Sequence, residues 1–397
     1  MIANRAADVT DSITMAISAL AMKLKKEGQD VLSFGAGEPD FDTPDVIKQA
    51  AIKAIEQGKT KYTAATGIAE LKEAVCAKFL KENGVGYSPA QIVISCGAKH
   101  SIFNAIMALI NPGDEVIIPA PYWVSYPDQV QLCGGKPVFI ETDDRSAFKI
   151  TPQQLRDAIT PKTKLFILNS PSNPTGSVYS RAELAALAEV LVEKQVLVLS
   201  DEIYEKLIYA GHEHVCIAAL SEEIKALTIL VNGVAKAYAM TGWRIGYTAA
   251  PPAIATAMGM IQSHSTSNPT TPAQWASVAA LTQPIPEVEM MRCEFESRRV
   301  LMVEGLNQIP GVRCVMPAGA FYTFPNVSGL FGKTTLSGVV IRDSAQLCEL
   351  LLKEALVACV PGSGFGAEGY IRLSYATSRS DIQRGIERIH QWVSALQ

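Results

Sequence analysis

Short apolar runs and longer amphipathic segments alternate along the chain. In TPDVIKQAAIKAIEQG (43–58), Val46, Ile47, Ala50, Ala51, Ala54 and Ile55 recur at helical spacing, which predicts a helix. Thr43 stands in the N-cap position, Pro44 at the first helical position and Gly58 just past the end. A second helix is predicted over IAELKEAVCAKFLKENG (68–84). Then QIVIS, EVIIPAP, KPVFIE, KLFILN, QVLVLSDE, LTILVN and IGYTAA are apolar runs of strand length, several of them separated by helical patterns. One such pattern, SRAELAALAEVLVEK, opens with Ser180 and Glu183, the pairing in which each side chain satisfies the other residue's free backbone amide.

Strands apolar on both faces and joined by helices argue for an α/β fold, a mostly parallel central sheet covered by helices on both faces. Past about residue 290 the pattern changes to a long helix, GAFYTFPNV, AQLCELLLKEA, ALVACVPG, YIRLSYA and a last helix, which suggests a smaller α+β domain. The expected division is 1–45 as an N-terminal arm and part of the small domain, 46–290 as the large ligand-binding domain, and 291–397 as the small C-terminal domain.

Composition agrees with this picture and removes alternatives. At 397 residues the chain exceeds what one core ordinarily supports. A net charge of −4 gives no general attraction to nucleic acid or anionic membrane. No run of about eighteen apolar residues predicts a membrane span. The opening MIANRAADVTDS lacks a basic end followed by an apolar core, so no secretory signal is expected and the protein is expected in the cytoplasm. The eight cysteines are scattered without a C-x-x-C pair, and the five histidines lack ligand spacing, so neither a disulfide framework nor a metal site is predicted.

The ends of the predicted strands carry the chemistry. In a parallel sheet ligands bind at the carboxyl ends of the strands. QIVIS runs into CGAKHS and a helix start, EVIIPAP into Trp123, KLFILN into SPSNPTG with Asn173, QVLVLS into Asp201 and Tyr204, and LTILVN into Lys236 and Arg244. A lone lysine at a strand end ordinarily marks a route to water. Here one rim collects a helix N-terminus, an indole, an amide, a carboxylate, a phenol, an amine and a guanidinium. The helix start and Arg244 suit a phosphate. Trp123 offers a face for a planar ring. Asp201 would keep a ring nitrogen protonated, Asn173 and Tyr204 can donate to an anionic ring oxygen, and Lys236 can condense with an aldehyde. The ligand with those features is pyridoxal phosphate (PLP), whose protonated ring acts as an electron sink.

The sequence resembles the fold-type I PLP-dependent aminotransferases, and within them the prokaryotic-type aspartate aminotransferases. The resemblance runs nearly end to end, through AGEPDFDTP (36–44), KYTAATGIAELKEA (61–74), PYWVSYP (121–127), NSPSNPTG (169–176), SDEIYE (200–205), AKAYAMTGWRIGY (235–247) and YIRLSYATS (370–378). It implies that Lys236 links to the cofactor and then shuttles the substrate proton. Asp201 would pair with the ring nitrogen, Tyr204 and Asn173 with the phenolic oxygen, and Arg244 with the phosphate, together with the backbone amides of Ala98 and Lys99. Tyr62 is similar to a tyrosine that reaches the phosphate of the neighbouring subunit, which implies a homodimer with shared active sites. Arg372 matches the arginine that grips the substrate α-carboxylate, and Gly37 would let substrate approach the N-terminal segment.

Two departures from the family pattern stand out, one at the phosphate and one at the substrate side chain. Ala235 stands where many relatives place a serine that meets the phosphate. The stretch QSHSTSNPTTPAQWA (262–276) holds no basic residue except His264, so the distal-carboxylate arginine of the animal and enteric aspartate enzymes is absent. The prokaryotic branch is similar in using a lysine, here Lys99, with hydroxyls that match Ser12 and Thr14. The expectation is ping-pong transfer of the amino group of L-aspartate to 2-oxoglutarate. Alternatives are another acceptor, such as prephenate or an aromatic or apolar keto acid, or a PLP-dependent lyase reaction on the same fold. Some prephenate-using relatives carry a lysine where this chain has Thr10. A ligand-sensing regulator would need a DNA-binding module, and the first family motif begins only at residue 36.

Overall fold

The computed structural model describes residues 2–3 and 13–397, except for the side chains of 13–16 and 18. Strand β1 (Leu32–Ser33) precedes a central sheet of β2 (Ile92–Ser95), β3 (Glu115–Ala120), β4 (Lys136–Glu141), β5 (Thr163–Asn169), β6 (Leu197–Asp201), β7 (Thr228–Gly233) and β8 (Gly246–Ala249). Four short strands follow, β9 (Tyr322–Thr323), β10 (Val357–Ala358), β11 (Val360–Pro361) and β12 (Ile371–Ser374). The central order is β2-β8-β7-β6-β5-β3-β4, with helices packed along it. Every position of β2, β7 and β8 is buried, as runs apolar on both faces require.

The pairs from β4 through β7 are parallel, but β8 runs antiparallel to both β7 and β2. The reason lies in the connection. Parallel strands need a crossover, usually a helix, and the segment 234–245 between β7 and β8 forms turns only. The chain therefore reverses beside β7, and that reversal holds Lys236 and Arg244 at one end of the sheet.

The helix Asp45–Glu56 corrects one expectation: its N-cap is Pro44, not Thr43. The Thr43 hydroxyl instead donates to Ala239 O at 2.6 Å and accepts from Trp243 Nε1 at 3.0 Å, so the β7–β8 turn claims it. Ile47, Ala51 and Ala54 are buried, while Val46 and Ile55 point outward. The Ser180–Glu183 pairing is present, with the Glu183 carboxylate accepting from Ser180 N at 2.7 Å.

β1 pairs in parallel with β10, which ties the N-terminal segment to the C-terminal elements. The long helix Pro286–Leu306 packs on the last helix, Arg379–Ser394, and on β9. Its buried Arg298 grips Asp40 at 2.8 and 2.9 Å and lies over the Phe41 ring at 5.1 Å. That contact fixes the AGEPDF loop above the carboxyl ends of the strands. Among the described residues no helix is long and apolar enough to cross a membrane.

Candidate active site

A cavity of about 950 Å³ opens where these loops converge. Ala98, Lys99, Trp123, Asn173, Asp201, Tyr204, Lys236 and Arg244 line it from the central sheet, and Gly37 and Arg372 from the other elements. Tyr62 does not line it and is 90 % exposed. Ser12 and the side chain of Thr14 lie outside the described residues.

Asp201 closes β6 at 4 % exposure. Burial pushes its carboxyl up to about 6, although bonds from Tyr126 and the Ile203 amide and the charge of Lys236 pull the other way. The Tyr126 hydroxyl donates to Oδ2 at 2.7 Å. A buried carboxylate driven toward protonation gains most from a cationic N–H partner.

Lys236 projects from the turn after β7, and its Nζ donates to Gly37 O at 2.5 Å. Burial lowers its amine to about 8, helped by the charges of Arg372 and Arg244 and opposed by Glu38 and Asp201. At pH 7.5 roughly a quarter of such amines are neutral, against about one in a thousand at an ordinary lysine value. The site therefore holds an amine able to act as nucleophile and base.

Just before the helix Ala98–Leu109, Gly97 has φ +89°, and a Cβ there would come within 2.5 Å of the Arg244 guanidinium. Glycine is thus required twice, for the backbone and for the close approach. Ala98 and Lys99, in the first turn of that helix, line the cavity together with Arg244, and amides at a helix start have no intrahelical acceptor. Arg244 itself sits at φ 55°, an unusual conformation for a non-glycine residue, with its guanidinium held by Thr241 O at 2.9 Å. Lys99 Nζ lies 4.8 Å over the Trp123 ring. Burial and then the Arg244 charge lower its amine, while Asp128 opposes them.

Arg372 is buried on β12 between the rings of Tyr322 at 4.6 Å and Phe365 at 5.0 Å. Its guanidinium donates to Asn173 Oδ1 and to Gly35 O, each at 2.9 Å, and its buried Nε has no partner. Arginine at such a site is poised for a planar, two-bond carboxylate.

Three contributors were not singled out from sequence: Tyr126, Tyr322 and Phe365. Tyr126 follows Trp123 by three residues in PYWVSYP, and the two rings meet edge to face at 5.3 Å. Tyr322 had no signal beyond its place in the apolar run GAFYTF, and Phe365, set in PGSGFGAEG, had none.

Glu202 and Glu205, next along the chain from Asp201 and Tyr204, hold ligand atoms within 4.8 Å of those of His214. These groups are already engaged. Glu202 bonds His214 at 2.7 Å and Ser200 Oγ at 2.9 Å, and Glu205 bonds Lys78 and Asn83. The network braces the turn that carries Asp201 and Tyr204.

The residue set fits a phosphorylated pyridine aldehyde. Free amides and Arg244 suit the phosphate, Trp123 a ring face, the buried Asp201 a ring N–H, and Lys236 the aldehyde carbon. Comparisons with known proteins point the same way. The model for the family "Aminotransferase class I and II" matches residues 29–389. An aspartate aminotransferase of Geobacillus stearothermophilus is 51% identical over 394 residues, 99% of each chain. An aspartate/prephenate aminotransferase of Cereibacter sphaeroides is 50% identical over 391 residues, 98% of each chain. The crystal structure of the aspartate aminotransferase from Rhizobium meliloti superposes with a TM-score of 0.97 at 47% identity and covers 100% of both chains.

Proposed function

The chain belongs to the class I and II aminotransferases, PLP-dependent enzymes, and from that premise we propose that it moves the amino group of L-aspartate to 2-oxoglutarate by alternating half-reactions. The observation that carries this reading is the sharing of one cavity by three groups. They are a lysine whose amine is lowered to about 8, a buried carboxylate pushed up to about 6, and a buried arginine with a free Nε.

When bound, PLP supplies an electron sink for the pair left on the substrate α-carbon. Arg244 and the Ala98 and Lys99 amides hold its phosphate, and Trp123 covers one ring face. Asp201, its position fixed by Tyr126, keeps the ring nitrogen protonated. Tyr204 and Asn173 donate to the phenolic oxygen. Lys236, as the neutral amine, would hold the aldehyde end of the cofactor, and when free would be the base placed to move the substrate α-proton. Arg372 fixes the α-carboxylate through Nε and a terminal nitrogen, with Asn173 orienting the guanidinium. Gly37 leaves room for substrate beside Lys236. The rate at which cofactor-free protein captures PLP is expected to climb with pH until about 8 and then level off. Stopped-flow absorbance would follow it, and a climb continuing to pH 10 would mean an unperturbed lysine.

Lys99, with Ser12 and Thr14, is assigned to the side-chain carboxylate. Lys99→Ala is expected to raise KM for aspartate about ten- to hundredfold, the worth of a charged hydrogen bond, and to change KM for an apolar amino acid little. Equal changes for both substrates would remove Lys99 from recognition. A second acceptor, prephenate, is favoured by the relative named for it and by the stacked Tyr122 and Phe139 rings, 4.9 Å apart, at the cavity wall.

The reading includes a cytoplasmic homodimer. Tyr62, exposed and not among the residues lining its own cavity, would reach the phosphate of a second copy. It also includes large and small domains divided near residues 45 and 290. Steady-state transfer from aspartate to 2-oxoglutarate, followed by coupled oxaloacetate reduction, tests the reading. Parallel lines in double-reciprocal plots are expected, and no turnover would contradict it.

A further inference from the structure

Tyr322 stands where the substrate end and the cofactor end of the cavity meet. It lies on β9, which pairs antiparallel with β12 so that Tyr322 opposes Ser374. Arg372, two residues before Ser374, is therefore its diagonal neighbour on the same face. The Tyr322 ring is wholly buried and lies 4.6 Å beneath the Arg372 guanidinium. Its hydroxyl is 2.9 Å from the Tyr204 hydroxyl, across 118 residues of sequence, and the two rings meet edge to face at 5.8 Å.

A phenol has one proton to donate and two positions that accept. Under the function proposed above, Tyr204 gives its one proton to the phenolic oxygen of the cofactor. The 2.9 Å contact then has one possible direction: Tyr322 donates and Tyr204 accepts. We propose that Tyr322 is a positioning residue that fixes the direction of the Tyr204 proton and strengthens its donation to the cofactor's phenolic oxygen. Hydrogen bonds in series polarise one another, and the effect is largest where water is excluded. The Arg372 charge over the Tyr322 ring favours the same direction, because a cation beside a phenol makes it the better donor. The titratable and charged groups that face this pair are Arg372 on β12, Asp201 at the end of β6, and Lys236, whose Nζ lies 5.7 Å over the Tyr204 ring.

The proposal rests on Tyr204 being the donor to the phenolic oxygen, and the test separates the two. The PLP-loaded protein would be titrated, and the pH midpoint of its visible absorption change read for wild type, Tyr322→Phe, Tyr204→Phe and the double variant. Losing donation to an anionic oxygen makes that oxygen more basic, so the midpoint moves up. Tyr322→Phe, which keeps the ring, is expected to raise it by roughly half a unit to one unit. In the Tyr204→Phe background the same change is expected to add nothing. An unmoved midpoint in Tyr322→Phe, or an equal rise in both backgrounds, would overturn the inference while leaving Tyr204 in place. An unmoved midpoint in Tyr204→Phe alone would overturn the role of Tyr204, and the inference with it.

Discussion

Replacing Lys236 by alanine is expected to reduce transamination by about 10⁴-fold or more while leaving PLP able to bind. The size follows from two losses. Positioned general-base catalysis is ordinarily worth about 10²–10⁴-fold, and the nucleophile that links and releases the cofactor goes with it. Among the described residues, no other group lining the cavity replaces that amine. Lys99 lies over the Trp123 ring, and Arg244 and Arg372 present guanidinium groups, which donate and do not accept. Binding should persist, because Gly97, the Ala98 and Lys99 amides, Arg244, Trp123 and Asp201 do not depend on Lys236 for their positions. The paired measurements are PLP retention by equilibrium dialysis and turnover of aspartate with 2-oxoglutarate. Turnover within tenfold of wild type would remove Lys236 from the chemistry.

Asp201→Asn is expected to lower turnover by about 10²–10³-fold, the usual cost of removing one preorganised electrostatic partner. Asparagine keeps the shape and can still meet the Tyr126 hydroxyl that donates to Oδ2 at 2.7 Å. What it cannot do is carry the negative charge that holds a proton on the ring nitrogen. Burial drives the Asp201 carboxyl up to about 6 even with the Lys236 charge opposing it, so a ring N–H beside it would hold it ionised over a wider pH range. The variant should remain coloured, because Lys236 is intact, and should fail in proton removal from the α-carbon. Slow loss of α-deuterium from labelled aspartate would show that step directly. Exchange as fast as in wild type would contradict the role.

The rim was legible because each of its members follows an apolar run of strand length, and parallel strands carry their ligands at that end. Asn173, Asp201, Lys236 and Trp123 were found in this way. The roles proposed for Arg372, Gly37 and Lys99 rest on family motifs, since no periodicity marks them. The unread features depend on contacts between distant segments. Thr43 looked like a helix cap, and is bonded instead to Ala239 and Trp243, about 200 residues away. Tyr126 reaches Asp201 across 75 residues and Tyr322 reaches Tyr204 across 118. The direction of β8 escaped for a related reason: an apolar run looks alike in either direction, and the turns of 234–245 decide.

The most direct measurement of the central claim is addition of L-aspartate alone, with no keto acid, to the purified PLP-loaded protein. Loss of the visible band with one oxaloacetate released per loaded site is the predicted result, since each half-reaction stands alone. An unchanged spectrum with no oxaloacetate would contradict the aspartate assignment, and failure of the protein to take up PLP would contradict the reading of Lys236 itself.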